Sequence, residues 1–152
     1  MHRRTIFALI AGATVLLPFS PGAFAETPPP AVMQKVHAAQ QQVSTIGMED
    51  YRKVVDSPGE ALIIDVREPH EYAAGHVPGA VNIPRGVLEF KIWSHVGSSA
   101  APQTAKRLYL QCQNGNRASL AAQSLSELGF TQTTAVLMNL DEWQKSGQPF
   151  VK

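Results

Sequence analysis

Cys112 is the single cysteine of the 152-residue chain, and it opens the run Cys112-Gln113-Asn114-Gly115-Asn116-Arg117. A thiol becomes a nucleophile only as its thiolate, so a reactive cysteine needs a setting that favours negative charge. Gln113, Asn114, Gly115 and Asn116 form a polar turn with one glycine and two asparagines. These residue types tolerate positive φ, so the turn can aim successive backbone N–H groups inward as an anion-binding nest. Nucleophile and nest coincide in six residues, which makes Cys112 the candidate catalytic residue and Gln113 to Asn116 the candidate substrate-binding loop.

The flanking elements must hold that loop in place. Leu108, Leu110 and Cys112 alternate with Tyr109 and Gln111, which predicts a strand over 107–112 ending at the cysteine. Ala121, Leu125 and Leu128 repeat at helical spacing, predicting a helix that starts near Asn116 or Arg117 and stops at Gly129. Cys112 then stands at a strand's carboxyl end, facing a helix's amino end. Ligands of open α/β sheets bind at that end, and free helix N–H groups favour an anion. The competing reading of a lone cysteine is a small buried hydrophobe, and the polar turn argues against it.

The chain's start has a different character. Arg3 and Arg4 precede an apolar stretch from Thr5 to Leu17, then Pro18, Pro21 and Gly22, then Ala23-Phe24-Ala25. This is the pattern of a secretory signal peptide over 1–25, with a small-x-small cleavage site. The apolar run is shorter than the roughly 20 residues a membrane span needs, so no stable membrane insertion is expected after cleavage. A periplasmic or secreted location follows. An unpaired thiol in an oxidising compartment is exposed to unwanted oxidation, so its presence supports a chemical use.

Removing Arg3 and Arg4 from 13 basic side chains set against 12 acidic ones leaves the chain one charge negative. With no basic run and no aromatic-basic interleaving, nucleic acid is not an expected partner. No metal-ligand spacing and no nucleotide-type glycine loop occurs, so no cofactor is expected.

Thr27-Pro28-Pro29-Pro30 is a stiff tether, and 31–43 predicts a helix whose thin apolar face (Val32, Val36, Ala39, Val43) docks loosely. Together these form a segment over 26–45, ahead of a domain over 46–152. In that domain helices are expected over 48–55, 85–96 and 140–146, and strands over 61–66, 81–83 and 135–137. Strands alternating with helices predict an α/β fold: a central parallel sheet with helices on both faces.

Ile64-Asp65-Val66-Arg67, Glu71-Tyr72, Gly75-His76-Val77-Pro78-Gly79-Ala80 and Asn82-Ile83-Pro84 follow one another in order. With the cysteine loop and Trp143…Gly147-x-Pro149, this pattern resembles the rhodanese family from about Ile46 to Val151. The resemblance implies a rhodanese-like fold and sulfurtransferase chemistry. Cys112 would take a sulfane sulfur from a small donor such as thiosulfate, hold it as a persulfide, and pass it to a thiol or cyanide, with a protein thiol as another acceptor. In that scheme Arg117 adds a fixed positive charge beside the sulfur, and Arg85 lies on the pocket rim to meet an anionic donor. The alternative duty of Arg117 is a salt bridge to Asp65.

Other charged residues are expected to be structural: Arg67 and Glu71 as an ion pair pinning a turn, His76 as a hydrogen-bonded loop anchor. Phosphatases and arsenate reductases that resemble this fold carry one more residue between cysteine and arginine. Four intervening residues favour sulfur over a phosphoryl group, leaving those activities and a non-catalytic binding module as alternatives. Family members often have Gly-Gly where this chain has Met138-Asn139; glycine there would allow positive φ, which Asn139 tolerates and Met138 does not, so a reshaped rim is expected.

Overall fold

The computed structural model describes residues 27–98 and 100–152. The expected signal peptide over 1–25 lies outside the described residues. In chain order the elements are α1 (Pro30–Gln40), β1 (Ser44–Gly47), α2 (Met48–Asp56), β2 (Leu62–Asp65), α3 (Pro69–Ala73), β3 (Val81–Asn82), α4 (Leu88–Lys91), β4 (Gly97–Ser98), β5 (Ala101–Pro102), β6 (Leu108–Gln111), α5 (Asn116–Glu127), β7 (Thr133–Leu137) and α6 (Leu140–Lys145).

Five strands form one sheet in the order β1-β7-β6-β2-β3, and every pairing within it is parallel. β6 lies between β7 and β2, in register Leu108↔Thr133 and Leu108↔Leu62, so the strand that leads into Cys112 occupies the middle of the sheet. β4 and β5 form a separate antiparallel pair.

Alternation along the strands divides the core between two faces. Ile64 and Val66 of the β2 segment, with Leu108, Leu110 and Cys112, pack with Leu88, Ile92, Ala121, Leu125 and Phe130. Ile63 points the other way, to Tyr51, Val136, Leu140 and Trp143. α4 and α5 thus cover one face and α2 and α6 the other, as the apolar β2 run requires.

Four expectations change. The helix over 85–96 is a composite: 3-10 turns at Arg85–Val87 and Ile92–His95 flank the four-residue α4. Leu88, Ile92 and Val96 along it are fully buried. The sheet begins at Ser44, two residues before the expected domain edge, because β1 pairs with β7. α1 is not loosely docked: Val36 and Ala39 are buried against the domain, though Val32 stays exposed. Met138 and Asn139 need no left-handed backbone, since no described non-glycine residue has positive φ. Asn139 instead caps α6, its Oδ1 accepting from the N–H groups of Asp141 and Glu142, and Met138 fills the core.

Candidate active site

Cys112 follows β6 directly, and α5 starts four residues later. The bend between them is made by Gly115, whose φ of 86° is in the left-handed region. A Cβ there would lie 3.2 Å from Leu137 Cα and 3.3 Å from Val136 O. The loop therefore packs directly on the end of β7, a close approach at positive φ that strongly favours glycine. Asn114 and Asn116 do not use positive φ, so the turn reverses at one residue rather than three.

Hydrogen bonds hold the loop from several sides. Gln113 O accepts from Leu140 N at 2.9 Å, and Gln113 Nε2 donates to Asp141 Oδ1 at 2.9 Å, so α6 grips the first loop residue. Gly115 O accepts from both Ser119 N and Ser119 Oγ, at 2.9 and 2.8 Å. Asn116 N donates to Asn114 Oδ1 over a long 3.3 Å. The N–H groups of Gln113, Asn114, Gly115 and Arg117 enter none of these bonds. They surround the entry to α5, where the helix's positive end adds to their effect.

Cys112 is only 1% exposed and borders the α5-side core. The side chain is buried, as the competing reading of a lone cysteine expects, while the polar loop begins at the next residue. Its side chain closes the core from above, while its backbone opens the loop.

Arg117 is held by a carboxylate other than the Asp65 expected. Its guanidinium makes a two-pronged pair with Glu71, Nη1 to Oε2 at 2.6 Å and Nη2 to Oε1 at 2.8 Å. Asp65 is not its partner, and the Glu71 carboxylate is not paired with Arg67. Asp65 and Arg67 pair with each other at 2.7 Å, both almost wholly buried. The reason is period-two geometry: residues i and i+2 at a strand's end leave on the same face.

Arg67 Nη1 donates to the main-chain carbonyl of Glu71, and Nη2 donates to that of Gly75 as well as to Asp65 Oδ2. Glu71 is left free to accept from Arg117 and from Glu68 N. The Arg117 hydrogen bond is the main cause that holds the Glu71 carboxyl down at about 2. Arg117 in turn is raised, first by that bond and further by the charges of Glu71, Cys112 and Asp65.

Beneath the loop runs a buried polar chain. Tyr51 donates to Gln111 Oε1 at 3.0 Å, and Gln111 Nε2 donates to Asp65 Oδ2 at 3.0 Å. Burial, then the Asp65 charge, raises the Tyr51 hydroxyl, keeping it a neutral donor. Sequence reasoning did not single out Tyr51 or Gln111. The signal was Gln111 itself, a polar residue at an inward-facing position of a central strand.

His76 is a loop anchor. Its Nδ1 lies 3.2 Å from Tyr72 O, and its backbone pairs with Val151. Arg85 turns away from the loop: its Nη1 bonds Glu89 Oε1 at 2.7 Å, and Ser124 donates to the same oxygen. The Arg85 side chain lines a cavity with Lys35, Leu120, Gln123, Ser124 and Glu127, none of them a loop residue.

A cavity of about 240 Å³ flanks Gln113, bounded by Arg67, Glu71, Asp141 and Phe150. A larger one, about 570 Å³, lies at the opposite end of the strands by Glu60, Lys106 and Arg107. Among the described residues no group of His, Cys, Asp or Glu is disposed to hold a metal ion.

A β-strand, a six-residue cysteine loop and a helix, set at the carboxyl edge of a parallel sheet, define a class of fold shared with known proteins. Residues 48–146 match the model of the rhodanese-like domain, and the chain belongs to that family. It is 27% identical over 115 residues to the thiosulfate:glutathione sulfurtransferase of Saccharomyces cerevisiae, covering 69% of this chain and 81% of that one. It is 30% identical over 111 residues to the adenylyltransferase and sulfurtransferase MOCS3 of Oryza sativa, 68% of this chain and 25% of the relative.

Among solved structures, a human single-domain sulfurtransferase superposes with a TM-score of 0.56 at 29% identity, covering 68% of this chain and 96% of the other. The chain spans between 22% and 51% of the length of three of its curated relatives. The central parallel sheet with helices on both faces is the rhodanese-like fold expected, and the family is one of sulfur-transferring enzymes.

Proposed function

We propose that the chain is a sulfurtransferase that carries sulfane sulfur on Cys112. The observation that carries this reading is the latched loop: five residues after Cys112 stand round a helix entry, and four of their N–H groups are uncommitted within the loop's own hydrogen bonds. In the first half-reaction the Cys112 thiolate attacks the outer sulfur of thiosulfate. The S–S bond of the donor breaks, sulfite leaves with the electron pair, and Cys112 carries a terminal persulfide sulfur.

In the second half-reaction an acceptor thiolate attacks that outer sulfur. Cys112 departs as thiolate and the acceptor leaves as a persulfide; cyanide in the same role yields thiocyanate. The loop N–H groups would stabilise an anionic sulfur in both states, which is preorganised electrostatic catalysis. The yeast relative, by its name a thiosulfate:glutathione enzyme, supports this donor and a thiol acceptor. Arg117 contributes positive potential from its place in the Glu71 pair.

The test is intact-mass measurement after incubation with thiosulfate. One added sulfur atom is expected in the wild type, none in Cys112→Ser, and cyanide should remove it. A chain that neither loads from thiosulfate nor turns it over would overturn the reading, and robust aryl phosphate hydrolysis would move it to a phosphatase. For residues 1–25 we propose export and cleavage after Ala25, supported by the run from Arg3 to Ala25. Protein purified from the native host should begin at Glu26, and full-length chain in the cytosol would refute export.

A further inference from the structure

α1 lies before residues 48–146, the span matched by the family model, yet it reaches the cysteine loop at Asn116 and the start of α5 at Ser119. Met33 Sδ sits 3.8 Å from Asn116 Nδ2, and Gln40 Nε2 donates to Ser119 Oγ at 3.2 Å. Ser119 is fully buried, and its hydroxyl donates to Gly115 O. The direction of this relay follows from donor counting. A carbonyl can only accept, so the single hydroxyl proton goes to Gly115 O, and Gln40 must present its N–H₂ to the remaining lone pair.

Gly115 O and Asn116 N belong to one planar trans peptide group, in which C=O and N–H point in opposite directions. Fixing the carbonyl along α5 toward Ser119 therefore aims the Asn116 N–H back at the loop. There its partner within the chain is the Asn114 Oδ1 at 3.3 Å, a bond long enough for a stronger acceptor to displace.

We propose that Ser119 is a positioning residue for the Gly115–Asn116 peptide plane, and so for the N–H cradle over Cys112, and that Gln40 of α1 preserves this arrangement by donating to the Ser119 hydroxyl rather than competing for its proton. The proposal rests on the sulfur-transfer reading and extends it to a helix outside the matched family region.

The test compares two substitutions of the partly exposed Gln40 in the full chain. Gln40→Leu removes the donor but leaves the Ser119 hydroxyl on Gly115 O. Gln40→Glu introduces a group that only accepts, which draws the hydroxyl proton off Gly115 O, leaves Ser119 N as the remaining donor to that carbonyl and loosens the peptide plane. Sulfur transfer from thiosulfate to cyanide should stay within about twofold of wild type in Gln40→Leu. It should fall about tenfold in kcat in Gln40→Glu, with KM for thiosulfate nearly unchanged, as expected for a misaimed stabilising donor.

Both variants should melt within a few degrees of each other. In a Ser119→Ala background the Gln40→Glu loss should disappear, because no hydroxyl is left to redirect. Equal kcat in the two Gln40 variants, or a Gln40→Glu loss that persists undiminished in Ser119→Ala, would overturn the relay while leaving sulfur transfer standing. A wild-type chain without sulfur transfer would overturn the reading beneath it, and the relay with it.

Discussion

Glu71→Gln isolates the charge that ties α3 to the cysteine loop. The Glu71 carboxyl is held at about 2, against an ordinary 4.5, chiefly by its two bonds from Arg117. Because the folded value is the lower one, the pair contributes stability that is present in full above about pH 4.5. That contribution is lost as pH falls through about 2.

The shift corresponds at most to about 3 kcal/mol. The side chains of Glu71 and Arg117 are 26% and 33% exposed, so solvent screening brings the expected difference nearer 1–2 kcal/mol. Urea unfolding of wild type and Glu71→Gln should show that gap at pH 7. More than half of it should be gone by pH 3, since between pH 4.5 and 3 the unfolded carboxyl takes up protons that the folded one refuses. A Glu71→Gln variant as stable as wild type at pH 7, or a gap that stays constant on acidification, would refute the pairing as an energetic clamp.

Asp65→Asn should be far more damaging, because it leaves the nearly buried Arg67 guanidinium without its counter-charge. The expected loss is about 3–5 kcal/mol, or roughly 10–20 °C in Tm, and a change of only a few degrees would show that the carbonyls of Glu71 and Gly75 suffice. Gly115→Ala and Gly129→Ala share a positive φ, 86° and 92°, but only at Gly115 would the new Cβ meet backbone atoms. Gly129→Ala should cost about 1–2 kcal/mol for the dihedral alone, and Gly115→Ala visibly more, with slower sulfur transfer; equal costs in denaturant unfolding would dismiss the close approach to β7.

What the sequence reveals here is whatever lies within one contiguous segment. The cysteine loop, the start of α5 at Asn116 and its stop at Gly129 depend on neighbours in the chain, and all three are legible. Strand β1 is not, because Ser44–Gly47 offers one apolar residue, Ile46, and no period to detect. α3 is five residues long and begins at Pro69 after Glu68; its mark is the Glu68…Glu71 spacing, a capping-box signature without the usual Ser or Thr.

Charge pairing is the least legible layer. Arg67 has two candidate carboxylates, Asp65 and Glu71, and sequence distance does not choose between them. Strand alternation does: it sends Arg67 back onto Asp65 and leaves Glu71 for a guanidinium 46 residues away.

That exchange of partners is what joins the loop's two ends. Gln111, the residue before Cys112, is bonded to Asp65; Asp65 to Arg67; and Arg67 to the main chain of Glu71. The Glu71 side chain completes the circuit at Arg117, the last residue of the loop. Had Arg67 taken Glu71, Arg117 would have been left to swing, and the entry to α5 would be fixed only by its backbone. Asp65 would then have faced Gln111 as an uncompensated buried charge, which is costly in a low-dielectric interior. The observed pairing avoids both penalties with the same four charges. It also orders both ends of the loop during folding, so that in the proposed sulfur transfer little of the cost of assembling the N–H cradle remains for the moment a donor arrives.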